Sequence, residues 1–216
     1  MDIPLENRLK KRLHVDVGRL QDEIMDIVYS LEGRAVLHGG TAIWRCFSGN
    51  RFSEDIDIYV PRASHLADGL KDALLARSLA LSKLKTTGNL IFAKITDGNA
   101  EVRLEANLAG AKIEAEARKY ERIGGGAMDV FCPSLPTLIL EKIGAYKNRR
   151  FVRDLYDIYH LSSQLDGDDA AVAKGMRALL AGFEKPVDEA NLQALLYSGA
   201  VPSTEQMLLA LKRGFL

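Results

Sequence analysis

The stretch His38-Gly39-Gly40-Thr41-Ala42-Ile43-Trp44-Arg45, followed by Arg51-Phe52-Ser53-Glu54-Asp55-Ile56-Asp57-Ile58-Tyr59-Val60, decides how the rest of the chain is read. A short apolar run, Ala35 to Leu37, enters two glycines, and Thr41 opens a helical pattern: strand, glycine turn, helix. Ile56, Ile58 and Val60 then alternate with Asp55, Asp57 and Tyr59, which is a strand closed by Pro61. Alternation sends both aspartates to one face, with Cα atoms about 6.5–7 Å apart. Two carboxylates that close repel each other unless a cation lies between them, and hard Mg²⁺ suits oxygen ligands. Two such ions about 3.5–4 Å apart clamp the attacking and leaving oxygens of an in-line phosphoryl displacement. Upstream, Gly39 and Gly40 let backbone approach a phosphate, while the first N–H groups of the Thr41 helix and its dipole attract an anion. The Thr41 hydroxyl is expected to cap that helix or to donate to a phosphate oxygen.

Working outward, Val17, Leu20, Ile24, Ile27, Val28 and Leu31 recur at helical steps and predict a helix over 15–31. The Ala- and Leu-rich segment 64–81 reads as an amphipathic helix. Strands follow at 90–96 and 100–108, joined by a turn at Asp97-Gly98-Asn99. On the second, Val102, Leu104, Ala106 and Leu108 are apolar. Glu101, Arg103, Glu105 and Asn107 share the other face, so Glu105 and Glu101 are both candidates for a third acid. Residues 111–122 are ambiguous between strand and helix. Gly124-Gly125-Gly126 reads as a turn, and 128–132 as a short strand ended by Pro133. From Ser134 onward only helices are expected, at about 134–148 and 152–165, with two or three more to the end. The organisation is α+β: a mixed α/β core over 1–132 with N-terminal helices, then a helical region over 133–216.

Composition narrows the function classes. The 216 residues carry 29 Lys+Arg against 29 Asp+Glu, with 47% hydrophobic and 27% charged residues, which excludes a disordered chain. A chain of this size buries roughly 70% of its unfolded surface. Neutrality excludes a polycationic coat but leaves room for a local basic cleft. No apolar run reaches the ~20 residues of a membrane span, and 1–12 lacks the apolar stretch of a secretory signal. Cys46 and Cys132, far apart in sequence, read as reduced core thiols of a cytoplasmic protein. The four histidines are scattered and imply no zinc site. A GxxxxGK[ST] loop is missing, which excludes a P-loop NTPase, and no GxSxG motif points to hydrolysis. His160 and Trp44 are expected to be structural, and His38 to be packed or capping.

The helical half holds a basic cluster. Lys142, Lys147, Arg149, Arg150 and Arg153 fall close together with Glu141 as their only opposing charge before Asp154. Lys142 and Arg149 lie two turns apart on one helix face. A Lys point charge suits a triphosphate and the Arg fork suits bidentate phosphate contacts. Asp154 and Asp157 share a face and either orient Lys142 or Arg153 or pair with Arg150 and Arg153. Taken singly, each of these features has a bland reading: acidic pairs are common on solvated strand edges, glycine pairs simply turn, and basic runs are solvated faces. Their joint order is what points to chemistry.

That order resembles the DNA polymerase β-like nucleotidyltransferase superfamily. Within it, Gly39-Gly40-Thr41-Ala42 and Arg51-Phe52-Ser53-Glu54-Asp55-Ile56-Asp57 are similar to the AbiEii/AbiGii-like toxin family. So are Arg103-Leu104-Glu105 and the stretch from Leu140 to Ile158, with its Lys-bearing helix followed by Arg153-Asp154-x-x-Asp157. The resemblance covers residues 34–161 and implies a polymerase β-like core: a mixed sheet flanked by helices, followed by a C-terminal helical region. It implies transfer of a nucleoside monophosphate from an NTP by two Mg²⁺ ions, with a toxin role in a toxin–antitoxin or phage-defence system. Carried across, Asp55, Asp57 and Glu105 are the metal ligands and catalytic acids, joined by Lys142 and Asp154. Gly39, Gly40, Thr41, Ser53, Lys142 and Arg153 bind the nucleotide. Glu105 stands where the wider superfamily often has Asp. The expected acceptor is RNA, a tRNA 3′ end in particular, and a cognate antitoxin is an expected partner; no membrane is involved. Two alternatives stay open: NMP transfer to a protein hydroxyl, and a catalytically silent nucleotide-binding interaction module.

Overall fold

A computed structural model describes residues 3–61, 64–108 and 114–216. A short helix α1 (Leu5–Arg8) and a long one, α2 (Arg12–Leu31), lead into β1 (Val36–His38), α3 (Gly39–Cys46) and β2 (Ile56–Tyr59). Helix α4 (Leu66–Ala76) precedes five strands: β3 (Ala80–Thr86), β4 (Leu90–Thr96), β5 (Glu101–Asn107), β6 (Ala115–Glu121) and β7 (Ala127–Pro133). Helices α5 (Leu135–Arg149), α6 (Val152–Ser162), α7 (Ala170–Ala181), α8 (Leu192–Leu195) and α9 (Thr204–Phe215) complete the described chain. It divides into two units, one of residues 1–48 and 52–133, the other of 49–51 and 134–216. No helix among the described residues is long and apolar enough to cross a membrane.

The first unit is built on one mixed sheet of order β3-β4-β5-β2-β1-β7-β6. The β1–β7 and β2–β5 ladders are parallel and the others antiparallel. Alternation divides the sheet into two faces. Leu37, Ile56, Ile58, Ile91, Ala93, Ile95, Val102, Leu104 and Ala106 are at most 1% exposed and form one side of the core. Over them lie the apolar faces of α2, α3 and α4, through Leu20, Ile24, Ile27, Val28, Ile43, Leu66 and Leu70. The other face carries the polar alternates, Asp57, Arg103 and Glu105 among them.

Buried charge ties the helices together. Arg45 on α3 is 2% exposed, pairs with Asp22 of α2 at 3.1 Å and donates to the carbonyls of Gly18 and Glu121 at 2.9 Å. Its guanidinium also lies over the rings of Trp44 and Tyr120. Pairing and hydrogen bonds at both terminal nitrogens offset the cost of burying this cation, while its Nε makes no hydrogen bond. Trp44 is in the core, as its pattern implied. Cys46 and Cys132 are free thiols that meet in space; hydrogen bonding with Cys132 and burial push the Cys46 thiol well up, which disfavours its thiolate.

One helix ends earlier than its composition implies. The helix expected over 64–81 stops at Ala76, and β3 begins at Ala80. Ser78 takes a left-handed φ of 58°, its amide bonds Leu75 O, and the Leu79 amide reaches back to Leu74 O, both at 3.0 Å. This is a Schellman stop built on Ser where Gly is usual, so no stop signal is visible in the sequence. The residues beyond it are drawn into an antiparallel ladder with β4, and pairing overrides their helical propensity. In the ambiguous segment, 115–121 is strand β6; residues 111–113 lie outside the described residues. The triple glycine turns the β6–β7 hairpin, with Gly125 and Gly126 at positive φ.

The second unit is helical. Ser134 caps α5 by accepting from the Thr137 amide, Asp169 caps α7 through Val172, and Ser203 with Gln206 forms a capping box on α9. Its core is Leu138, Ile139, Ile143, Leu155, Ile158, Leu161, Val172, Met176, Met207 and Leu211. Residues 49–51 belong here because Arg51 bridges to Leu196 and the Tyr197 amide bonds Asn50 O at 3.1 Å.

Candidate active site

The glycine segment is the first turn of α3 itself, with no separate loop before it. Gly39 opens the helix at a φ of 72°, which L side chains rarely adopt, and a Cβ there would stand 2.6 Å from Asp57 Oδ2. Glycine is therefore required both by backbone conformation and by the closeness of the aspartate. His38 precedes it on β1, paired in register with Asp57, and its ring stacks on Tyr59 at 3.7 Å. It does not cap α3.

Thr41 departs from its expected use. It is fully buried, and its hydroxyl donates to the Asp55 main-chain carbonyl. It neither caps the helix nor reaches outward; it ties the start of α3 to the strand that carries the aspartates. Ser53 is half-buried just upstream, and its carbonyl accepts from Gln21 Nε2 at 2.9 Å.

The acids gather through strand register. In the parallel β2–β5 ladder Asp57 is the direct Cα partner of Glu105. Arg103, two residues before Glu105, bonds the Asp55 carboxylate and approaches Glu105 Oε1 at 3.3 Å. Glu101, the other candidate third acid, is bound instead to Lys94 at 2.6 Å and Ser82 at 3.0 Å. Among the described residues no three His, Cys, Asp or Glu side chains converge as a ready-made metal cage. The guanidinium of Arg103 supplies the positive charge between Asp55 and Glu105.

In the helical unit Lys142, Asp154 and Asp157 do meet. Lys142 Nζ lies 2.7 Å from Asp157 Oδ2 and 3.7 Å from Asp154 Oδ1, with its side chain 8% exposed. Of the two alternatives for the aspartates, contact with Lys142 forms and pairing with Arg150 and Arg153 does not. Asp154 takes a two-pronged bond from Arg149 at 2.7 and 2.8 Å, and Asp157 takes one from Arg51 at 2.8 Å twice. Arg150 has a left-handed φ of 52° after the end of α5 and pairs with Glu184. Arg153 makes no ion pair among the described residues; its guanidinium lies over Phe151 and its buried Nε has no hydrogen-bond partner. Burial alone would push the Asp157 carboxyl up, but Arg51 and Lys142 outweigh it and hold the group at about 2. Arg51 is the member that sequence reasoning missed. It stands in the quoted motif, yet its partner is 106 residues away and no local spacing announces it.

Two carboxylate-bearing strands beside a glycine-opened helix, in a mixed sheet, define a nucleotidyltransferase fold. Solved structures share it. JHP933 from Helicobacter pylori is similar over 94% of this chain and 90% of its own, at 20% identity and a TM-score of 0.69. MenT4, a nucleotidyltransferase toxin from Mycobacterium tuberculosis H37Rv, is similar over 92% of this chain and 81% of its own, at 17% identity and a TM-score of 0.61. A search of curated proteins by sequence finds no match. The family model of the nucleotidyl transferase AbiEii toxin, type IV toxin–antitoxin system, matches residues 26–211, and the chain belongs to that family. It is therefore a nucleotidyltransferase, an enzyme that takes its nucleotide from an NTP.

Proposed function

We propose that this chain transfers a nucleoside monophosphate from an NTP to a hydroxyl of RNA, at a tRNA 3′ end, as the toxin of a pair with a cognate antitoxin in the cytoplasm. The observation that carries the chemistry is the Asp57–Glu105 pairing across β2 and β5, with Gly39 packed against Asp57. Asp55, Asp57 and Glu105 would hold two Mg²⁺ ions. The donor chemistry suits a hard cation: Asp57 and Glu105 are register partners, and Asp55, just before β2, shares the cationic group of Arg103 with Glu105, a place that a metal would take over from the guanidinium. When bound, the metals supply charge neutralisation at the α-phosphate and the departing pyrophosphate.

The chain's own residues do the rest. Gly39 and Gly40 bring the first amides of α3 to the triphosphate, where the helix dipole favours the anion. Thr41 acts at one remove, holding the Asp55 backbone against that helix. Ser53, next to the aspartates in sequence, serves the nucleotide. Glu105 accepts the proton of the acceptor hydroxyl as it attacks in line. Lys142 and Arg153 supply positive charge for the triphosphate. Asp154 and Asp157, enclosed and bonded to Arg149 and Arg51, position Lys142 and touch no substrate. Arg153, stacked and unpaired, is the more available cation of the two.

A labelling experiment tests this. Purified protein, Mg²⁺ and each α-labelled NTP in turn are incubated with total RNA or total cell protein, beside Asp57→Asn. Label in RNA for one NTP, lost in the variant, is the expected result. Label in protein would replace the RNA acceptor, and no label in either pool would favour a silent binding module.

A further inference from the structure

We infer that the open face of the β3–β4 half of the sheet is the docking surface for a single-stranded RNA acceptor, leading it to the acids. The inference rests on RNA being the acceptor in the preceding reading and adds where it binds. Sheet register lays out the path. Asp57 pairs with Glu105, Glu105 with Phe92, and Phe92 with Lys85, so one row crosses β2, β5, β4 and β3. The next row runs from Arg103 to Lys94 to Lys83. Strands lie about 4.8 Å apart, so Phe92 and the lysines stand roughly 10–15 Å from Asp57, a few nucleotides along a strand.

The chemistry of these rows is that of a nucleic-acid track. Residues 80–96 contain Lys83, Lys85 and Lys94 and no Asp or Glu, in a chain whose charges balance overall. Lys83 and Lys85 are exposed, and the side chains of Lys94 and Arg103 are 41% and 44% exposed. Phe92 stands half-buried among them on the open face, with Lys83 Nζ 5.5 Å from its ring centroid. Cations take phosphates, and an aromatic ring offers a stacking platform that any base can use.

Lysines on an edge strand also guard against edge-to-edge pairing. That role accounts for Lys83 and Lys85 on β3. Lys94 on the inner strand β4 is paired with Glu101 of β5. Neither edge protection nor ion pairing accounts for an aromatic ring held on the solvent side of β4 when Ile91, Ala93 and Ile95 fill its core side. A polyanion with bases meets the exposed Lys83 and Lys85 and the Phe92 ring together.

The test uses the full chain and a short fluorescein-labelled single-stranded oligoribonucleotide, read by anisotropy in EDTA without NTP at about 50 to 200 mM salt. Lys83→Glu/Lys85→Glu should weaken binding at least tenfold and make the log–log salt slope shallower by about 1.4, the share of two phosphates on a single strand. Phe92→Leu, which keeps an apolar side chain, should weaken it about fivefold or more. The exposed pair Lys174→Glu/Lys212→Glu on the helical unit serves as the charge control and should change little. Donor NTP binding should persist in the β3 and β4 variants. Wild-type protein that labels RNA while these variants bind and label as it does would overturn the surface and leave the RNA reading standing. Wild-type protein that labels protein and ignores the oligonucleotide would overturn both.

Discussion

Asp57 and Glu105 are direct partners across the parallel β2–β5 ladder, although 48 positions separate them in the chain. Strand register therefore brings the second aspartate of the DxD pair and the third acid to one face. Asp57→Asn or Glu105→Gln is expected to lower NMP transfer by about a thousandfold or more, since each removes charge at the reacting phosphate. Neither residue is buried, so thermal stability should shift by less than about 0.5 kcal/mol. Transfer assays and melting curves on the same preparations check both halves.

Gly39→Ala attacks the site from the other side. The left-handed φ costs an L residue about 1–2 kcal/mol, and the new Cβ, 2.6 Å from Asp57 Oδ2, must push that carboxylate aside. Loss of activity beyond what the lowered melting temperature explains is the expected signature.

Arg103 guards the acids with its own charge. Arg103→Gln should tighten divalent-cation binding, measured by calorimetry without NTP, because the cation no longer displaces a guanidinium from Asp55 and Glu105. These groups are about a third or more exposed, so the gain is limited to about 1 kcal/mol. Weaker metal binding in the variant would show that Arg103 supports the site.

Asp157 holds two buried cations, Arg51 and Lys142. Asp157→Ala removes the nearest carboxylate from both and is expected to destabilise the protein by about 3–5 kcal/mol. Denaturant melts measure it, and Asp157→Asn, which keeps the shape, should lose less.

The same carboxylate sets an acid limit. Its folded value of about 2 lies below the ordinary 3.8, so the unfolded chain takes up its proton first as pH falls. The stabilisation is complete above the ordinary value and is lost as pH drops from about 4 to 2, by about 2 kcal/mol in all. Melting temperatures across that range, wild type against Asp157→Asn, should converge at the acid end.

Most of the framework is local, and local patterns carry it. The alternation at 55–60 and 101–107, the glycine pair, the change to helices at Ser134 and the helical spacing of α2 are all readable because strand and helix periods are short-range. The family follows from the same motifs. Other features depended on contacts across the chain. The Ser78 stop has no glycine to announce it, and β3 exists because β4 offers a ladder. Thr41 bonds the Asp55 carbonyl, Glu105 rather than Glu101 faces Asp57, and Arg51 instead of Arg150 or Arg153 takes Asp157. Each of those choices is a competition among similar groups for one partner. Register and burial decide it, because a carboxylate or guanidinium out of water must be satisfied by whatever the fold brings within reach. The sequence by itself determined which residue types and which elements were present. Only the tertiary structure decided who meets whom.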